Sequence, residues 1–135
     1  MSAQNTHTLT PEDVIAAALR RWPHLSANGF TDDRPRPLRP EEVATAVAFL
    51  QQCDPIRTPL ISSYGLKHSA ERWGEALGLS NYVSNGALIA AAHALGFPMG
   101  RPEGLNVRIG VSRRSLHKLE GHEPRKPGRG WDFGG

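Results

Sequence analysis

The sequence predicts a mainly α-helical fold with a small β-hairpin, and three observations support this prediction. Two segments start in the same way, with a proline followed by acidic residues, at Pro11 and at Pro40, which is typical of the first turn of a helix. Residues 62–111 then read as two short helices joined by a tight link and followed by one alternating strand. At 135 residues, the chain has the size of one ordinary domain with tails.

The first helix is predicted over residues 10–21. Thr10 suits the capping position, Pro11 suits the first helical position, and Asp13 is placed to complete a capping box. Apolar residues recur at spacings of three and four, and Pro23 ends the helix. The apolar residues are Val14, Ile15, Ala18, Leu19 and Trp22.

A second helix is predicted to begin at Pro40 and to end before Pro55. The preceding residues 23–39 contain Asn-Gly, Asp-Asp and several prolines, which indicates a solvated loop rather than a binding arm. The arginines of this loop are Arg34, Arg36 and Arg39, diluted by Asp32 and Asp33. The apolar face of the helix consists of Val43, Ala46, Val47, Leu50 and Cys53.

Two further helices are predicted at residues 63–77 and 85–95. A serine or asparagine can cap the start of each helix, and a glycine, Gly78 or Gly96, stands where each one ends. A strand is predicted at residues 105–111, where apolar and more polar residues alternate. Because a lone strand is unstable, we expect two partners for it. These are residues 97–101, through a turn, and the pair Leu60 and Ile61.

This order of elements is that of a winged helix-turn-helix. We therefore expect three parts of the chain: an N-terminal helix and linker at 1–38, a winged-helix-like domain at 39–118, and a disordered basic tail at 119–135. The glycines, prolines and basic residues of that tail predict disorder. Its only possible anchors to the domain are Trp131 and Phe133.

The sequence also contains two local resemblances. The run ALGLS at residues 76–80, with Tyr82, Val83 and Ser84, resembles helix-turn-helix domains of the phage-repressor type, which bind operator DNA. The likeness ends at Asn85 and Gly86, where a recognition helix would be in mid-course. The strings SYGLKH and YVSNGALIAAAHALGF are similar to small uncharacterised proteins of bacterial plasmids, phages and integrated elements, which implies a mobile-element accessory protein.

The positive charge is concentrated in one region. The formal net charge is +3, and residues 101–118 alone carry five basic residues against one acidic residue. A basic segment of this kind favours a polyanionic partner. We therefore expect a nucleic-acid-binding protein, with DNA preferred over RNA, that acts as an accessory or regulatory protein. The alternative for these arginines is that they only solvate a strand edge and a tail.

The helix at 85–95 is expected to lie in the major groove. Its outward positions, predicted as Asn85, Ala87, Ala90, Ala91, His93 and Ala94, form a poor surface for reading bases. We therefore expect contacts mainly to backbone phosphates. The expected contact residues are Ser84, Asn85, His93, Arg101, Arg108, Arg113, Arg114 and Lys118.

The alternative function is a protein-interaction module, an inhibitor or adaptor that acts on a host or element-encoded complex. Its expected surface consists of Tyr64, Lys67, His68, Glu71, Arg72 and Ala91. The small residues of the helix at 85–95 permit close approach of another helix, including one from a second copy in a homodimer. We favour the interpretation that this helix is simply the central core helix of the domain, and we expect the Lys67–Glu71 pair to be ordinary surface charge.

We expect no metal site, because the pairs His68–Glu71 and His117–His122 both lack a third ligand at metal spacing. No catalytic residue and no cofactor is expected either. Cys53, the single cysteine, excludes an internal disulfide and is expected to be a buried thiol. The sequence has no apolar run of membrane-spanning length and starts with polar residues. The expectation is a cytoplasmic protein without membrane contact.

Overall fold

The computed structural model describes residues 9–30 and 34–120. Within these ranges the chain forms five helices and a small two-stranded antiparallel sheet, so the prediction of a mainly α-helical fold with a small β component is confirmed. The sheet is not the predicted hairpin, because two helices separate its strands in the chain. The elements, in chain order, are α1 (Pro11–Arg21), α2 (Pro40–Gln51), β1 (Ile61–Ser62), α3 (Ser63–Ala76), α4 (Asn85–Ala94), β2 (Arg108–Ile109) and α5 (Arg113–Leu119). In the described part, no helix combines the length and the apolar character that crossing a bilayer requires.

Helix α1 begins with the predicted capping box. The Thr10 side chain accepts a hydrogen bond from the Asp13 backbone N–H at 3.1 Å, and the Asp13 carboxylate accepts one from the Thr10 N–H. Val14 and Ala18 of α1 lie in the same hydrophobic core as residues of α2, α3 and α4. The N-terminal helix is therefore packed into the core that the predicted winged-helix segment also forms.

The small sheet is built around β2. Strand β1 pairs with it in antiparallel register, with Ile61 opposite Ile109 and Ser62 opposite Arg108. On the other side, Met99 forms an isolated bridge with Ile109, and the Gly100 N–H donates to the Arg108 carbonyl at 3.0 Å. Both predicted partners of the strand are thus present, although its regular part is only two residues long.

Helix α4 is the centre of the core. Every residue from Asn85 to Ala92 is buried, with α1, α2 and α3 packed around the helix. The prediction that Asn85, Ala87, Ala90 and Ala91 face outward is wrong. Alanine and glycine on every side of the helix let its neighbours approach from all directions, and a helix that is apolar all round is a buried one.

Gly86 shows how closely the chain packs against α4. Its N–H donates to the Ala27 carbonyl at 2.8 Å, and a Cβ at this position would overlap the carbonyl oxygen of Ser26. The segment after α1 therefore passes directly over this turn of α4, and only a glycine leaves room for it.

Helix α5 was not predicted. Ser112 caps its N-terminus, and the Ser115 hydroxyl both donates to the Ser112 carbonyl and accepts the Asp54 N–H at 3.0 Å. The predicted disordered tail falls mostly on residues 121–135, which lie outside the described residues together with Trp131 and Phe133. Of the two tail residues that are described, Leu119 is the last residue of α5 and Glu120 hydrogen-bonds to Ser69 of α3.

Candidate functional site

The link between α3 and α4 is held by carboxylates from two helices. The Val83 N–H donates to Glu71 Oε2 of α3 at 3.0 Å, and the next amide, the Ser84 N–H, donates to Glu42 Oε1 of α2 at 3.1 Å. Ser84 in turn caps α4 by accepting the Ala87 N–H. Two neighbouring backbone amides are therefore fixed by charge-assisted hydrogen bonds, which are stronger than neutral ones.

Tyr82 directly precedes Val83 and Ser84. Hydrogen bonds hold its backbone, whereas its ring is exposed to solvent. The Ser80 hydroxyl donates to the Tyr82 carbonyl at 2.7 Å and accepts the Tyr82 N–H at 3.3 Å. The residue is nevertheless 46% exposed. The chain thus presents an aromatic ring to solvent from a rigid backbone.

Lys67 lies beside this ring. Its side chain is only 8% exposed, its ammonium pairs with Glu71 Oε2 at 3.0 Å, and it lies 5.0 Å from the Tyr82 ring centroid and 5.6 Å from that of Tyr64. Both distances are within the range of cation–π attraction. His68 completes the group, because its Nδ1 hydrogen-bonds to Glu71 Oε1 at 3.0 Å.

Glu71 connects the charges of this group. Burial alone would raise the pKa of its carboxyl, but the Val83 N–H, the Lys67 ammonium and the His68 ring act against burial and lower the pKa below its ordinary value of 4.5. The carboxylate form is therefore favoured in the folded protein.

A surface pocket of about 520 Å³ opens between α3, the start of α4 and the turn before β2. This volume is in the range of small-molecule sites in proteins. The pocket is lined by Ala27, Asn28, Tyr64, Lys67, Tyr82, Asn85, Leu105 and Asn106. Its lining therefore combines two aromatic rings, one ammonium group and three side-chain amides.

Asn85 fixes the inner wall of this pocket. Its Nδ2 lies 3.2 Å from the Asn28 carbonyl, 3.1 Å from the Leu105 carbonyl and 2.9 Å from Asn106 Oδ1. Its Oδ1 is buried and has no hydrogen-bond partner among the described residues. One side-chain amide thus ties together three separate segments of the chain.

A second pocket of about 240 Å³ adjoins the first. Tyr82 and Ala27 line both pockets, and the second one also contains the basic side chains of Arg36 and Arg39. Both arginines are exposed, and Arg39 forms an exposed ion pair with Glu41 at 3.5 Å. We refer to the two pockets together as the Tyr82 site.

The expected nucleic-acid contacts divide into two groups. The five basic residues are all exposed: Arg101, Arg108, Arg113, Arg114 and Lys118. Ser84 and Asn85 are buried and serve to cap and tie α4, and His93 is half-buried with its ring 4.8 Å from that of Trp22. The structure thus leaves the basic residues accessible and places these three in or against the core.

The expected partner surface divides in a similar way. Tyr64, Lys67, His68 and Glu71 are brought together, whereas Arg72 turns to Glu120 of the C-terminal segment at 2.8 Å. Ala91 is fully buried, so the expectation that it contributes to a surface is wrong. Sequence reasoning missed Tyr82, Asn28, Asn106, Arg36 and Arg39 as site residues, because they come from segments far apart in the chain.

Cys53 lies outside this site. Burial, with the nearby carboxylates of Asp54 and Glu120, raises the pKa of its thiol to about 12. The thiol therefore stays protonated at neutral pH, whereas a nucleophilic cysteine acts as the thiolate. Among the described residues, no group of three or more His, Cys, Asp or Glu is arranged to hold a metal ion.

The sequence matches no protein-family model, and no curated protein and no solved structure matches it.

Proposed function

We propose that this protein binds nucleic acid through phosphate contacts of its exposed basic residues, as a non-enzymatic accessory or regulatory protein of a mobile element. The observation that carries the proposal is the surface of α5. This helix exposes Arg113, Arg114 and Lys118 and contains no acidic residue. Such a surface attracts a polyanion such as the nucleic-acid backbone.

The position of the arginine pair within α5 strengthens this argument. Arg113 and Arg114 occupy the first turn, where the partial positive charge of the helix dipole disfavours cations by about 0.3–1 kcal/mol. Among the described residues, neither arginine forms an ion pair that would offset this cost. The two arginines therefore do not stabilise the helix, whereas a bound phosphate would offset their unfavourable interaction with the helix dipole.

Arg101 and Arg108 provide a second basic position at the sheet. Gly100, next to Arg101, is hydrogen-bonded to the backbone of Arg108, so the two arginines come from paired segments. Arg108 has one acidic neighbour, Glu103, at a long distance of 3.8 Å with both side chains exposed. Exposed pairs of this kind are weak and are readily exchanged for a phosphate.

The mode of binding follows from the burial of α4. The order of elements resembles a winged helix, but in the helix that would read bases in such a domain every residue from Asn85 to Ala92 is buried here. We therefore propose binding that tracks the backbone and depends strongly on salt, with little selectivity for sequence.

The test is fluorescence anisotropy with labelled duplex DNA over a series of salt concentrations. Replacing Arg113 and Arg114 together by alanine should weaken binding for all sequences alike and reduce the slope of log K against log salt by roughly 2. The matched control is the double replacement of Arg20 and Arg21, two exposed arginines on α1. Equal effects of the two double variants, or no binding at low salt, would contradict the proposal.

A protein-interaction module is the second candidate function, favoured by exposed apolar residues at the end of α3. Leu77 is 59% exposed and Leu79 is 44% exposed, only two residues apart. We expect replacement of both by serine to abolish capture of a protein partner in a nuclease-treated pull-down. Capture that is lost on nuclease treatment, or unchanged in this variant, would exclude this candidate.

A further inference from the structure

We propose that the Tyr82 site binds one unpaired nucleotide of a single strand, with its base in the 520 Å³ pocket and an adjoining phosphate in the 240 Å³ pocket. This inference rests on the proposed function, because the ligand is again nucleic acid and is now specified as single-stranded. It assigns a site to residues that the basic surface of α5 does not include.

The larger pocket offers what a nucleobase requires. The rings of Tyr64 and Tyr82, which are 54% and 46% exposed, provide faces on which a base can stack. The side-chain amide of Asn106, whose Oδ1 accepts from Asn85 Nδ2, also carries N–H donors that suit the acceptors on the edge of a base. Because stacking requires only a π-face, such a site accepts bases with little sequence preference.

The smaller pocket offers what a phosphate requires. Arg36 and Arg39 line it together with Tyr82 and with Glu42, whose carboxylate accepts the Ser84 N–H. The two guanidinium groups outnumber this one carboxylate in the pocket lining, so the lining carries a net positive formal charge. Guanidinium groups bind phosphate with two parallel hydrogen bonds. The phosphate next to a base stacked on Tyr82 would thus lie beside the basic side chains of the second pocket.

The larger pocket is also connected to the basic residues of the sheet. Asn106 lines the pocket, and Arg108 follows two residues later on an extended segment in which Val107 and Ile109 are buried. Residues two apart on an extended chain point to the same side. A strand that leaves the pocket therefore passes Arg108, and the site joins the surface proposed for phosphate contact.

The site is organised before any ligand arrives. The backbone around Tyr82 is fixed by Ser80, Glu71 and Glu42, and the pocket wall is fixed by Asn85. Binding therefore costs little ordering of the protein, which favours affinity. In a duplex, each base is stacked on both faces and paired at its edge, so only an unpaired nucleotide can enter.

The test compares a thymidine single strand of about 12 nucleotides, within the usual site size of single-strand binders, with a duplex of the same length. Tyr82→Ala should weaken single-strand binding roughly 5- to 150-fold, the effect of losing one stacked base, and leave duplex binding unchanged. Tyr82→Phe retains the ring and should bind like the native protein. Arg36→Ala with Arg39→Ala should weaken single-strand binding more than the Arg20 and Arg21 control, and thermal melting of each variant confirms that it is folded.

The outcomes separate this inference from the proposed function. If Tyr82→Ala binds both DNA forms like the native protein while loss of Arg113 and Arg114 weakens both, the Tyr82 site is rejected and the proposed function stands. If thymidine monophosphate binds in a Tyr82-dependent way but the single strand does not, the site is a mononucleotide site and the inference is overturned. If neither DNA form binds at low salt, both proposals fail.

Discussion

The Glu71 carboxylate and the Val83 backbone N–H, from α3 and from the link that precedes α4, are joined by a hydrogen bond of 3.0 Å. The same oxygen accepts the Lys67 ammonium, so one carboxylate holds both the chain that carries Tyr82 and the cation beside its ring. The charge state of Glu71 therefore contributes to holding both parts of the Tyr82 site.

This dependence predicts an acid-sensitive stability. Because folding lowers the pKa of Glu71, its contribution is fully present above the ordinary value of 4.5 and is lost as the pH falls through the lower folded-state value. Glu71→Gln should remove this pH dependence and, near neutral pH, lower the free energy of unfolding by about 1–3 kcal/mol. Urea denaturation at a series of pH values measures both effects. Parallel curves of stability against pH for the two proteins between about pH 5 and pH 3, where carboxyl groups titrate, would contradict the assignment.

Two helical glycines are predicted to respond to alanine with opposite signs. A Cβ at Gly86 of α4 would overlap the Ser26 carbonyl, so Gly86→Ala should destabilise by about 2 kcal/mol or more despite the better helix propensity. Gly65 of α3 has no atom within 4 Å of such a Cβ, and Gly65→Ala should stabilise by about 0.5–1 kcal/mol. Thermal melting of both variants provides the measurement, and shifts of the same sign would show that the packing over Gly86 is looser than described.

The hydrogen bonds of Asn85 predict that its aspartate variant is less stable than its alanine variant. Its Nδ2 donates toward three oxygen acceptors, so Asn85→Asp would place a buried carboxylate against them and should cost about 3–5 kcal/mol. Asn85→Ala loses the hydrogen bonds without adding a charge and should cost only about 1–3 kcal/mol. The isosteric variant is thus expected to be the less stable of the two in urea denaturation, and the reverse order would refute the amide orientation.

Cys53 is predicted to be unreactive in the folded protein. Its thiol lies in the core, donates to the Phe49 carbonyl at 3.6 Å and has a pKa of about 12. At pH near 8, alkylation by iodoacetamide should be slower than in the denatured chain by a factor on the order of a thousand. Equal rates with and without denaturant would show that the end of α2 opens readily.

Local chemistry explains why most helices could be predicted from the sequence. The bounds of α1 follow from Thr10, Pro11 and Asp13, whose hydrogen bonds involve only neighbouring residues. Helix α5 was missed because its seven residues are mostly basic and show no long apolar repeat, and its Ser115 is anchored by Asp54, which is distant in sequence.

The position of α4 in the core was the favoured interpretation and is confirmed, whereas the assignment of outward-facing residues on α4 was wrong for a related reason. Alanine is compatible with a surface helix, an interface and a core, and the choice depends on whether other elements cover all sides. Only Gly86 carried a signal, since a glycine inside a helix usually has a packing reason. That reason is the segment containing Ser26 and Ala27.

The site itself was partly predictable. The spacing of Tyr64, Lys67, His68 and Glu71 places them on one side of a helix, so their grouping follows from the sequence. Tyr82 was noted only within the helix-turn-helix resemblance. The loop that contains Arg36 and the other arginines was predicted to be solvated. These segments come together only in the tertiary structure, and no local sequence pattern predicts that contact.

The hydrogen bond from the Gly86 N–H to the Ala27 carbonyl also protects the protein chemically. An asparagine followed by glycine deamidates when the glycine nitrogen attacks the asparagine side chain to form a succinimide, and here that nitrogen is committed elsewhere within a helix. Ageing at Asn85 should therefore occur only in unfolded molecules, and a native sample would keep this amide intact through storage that converts the denatured chain to aspartate and isoaspartate.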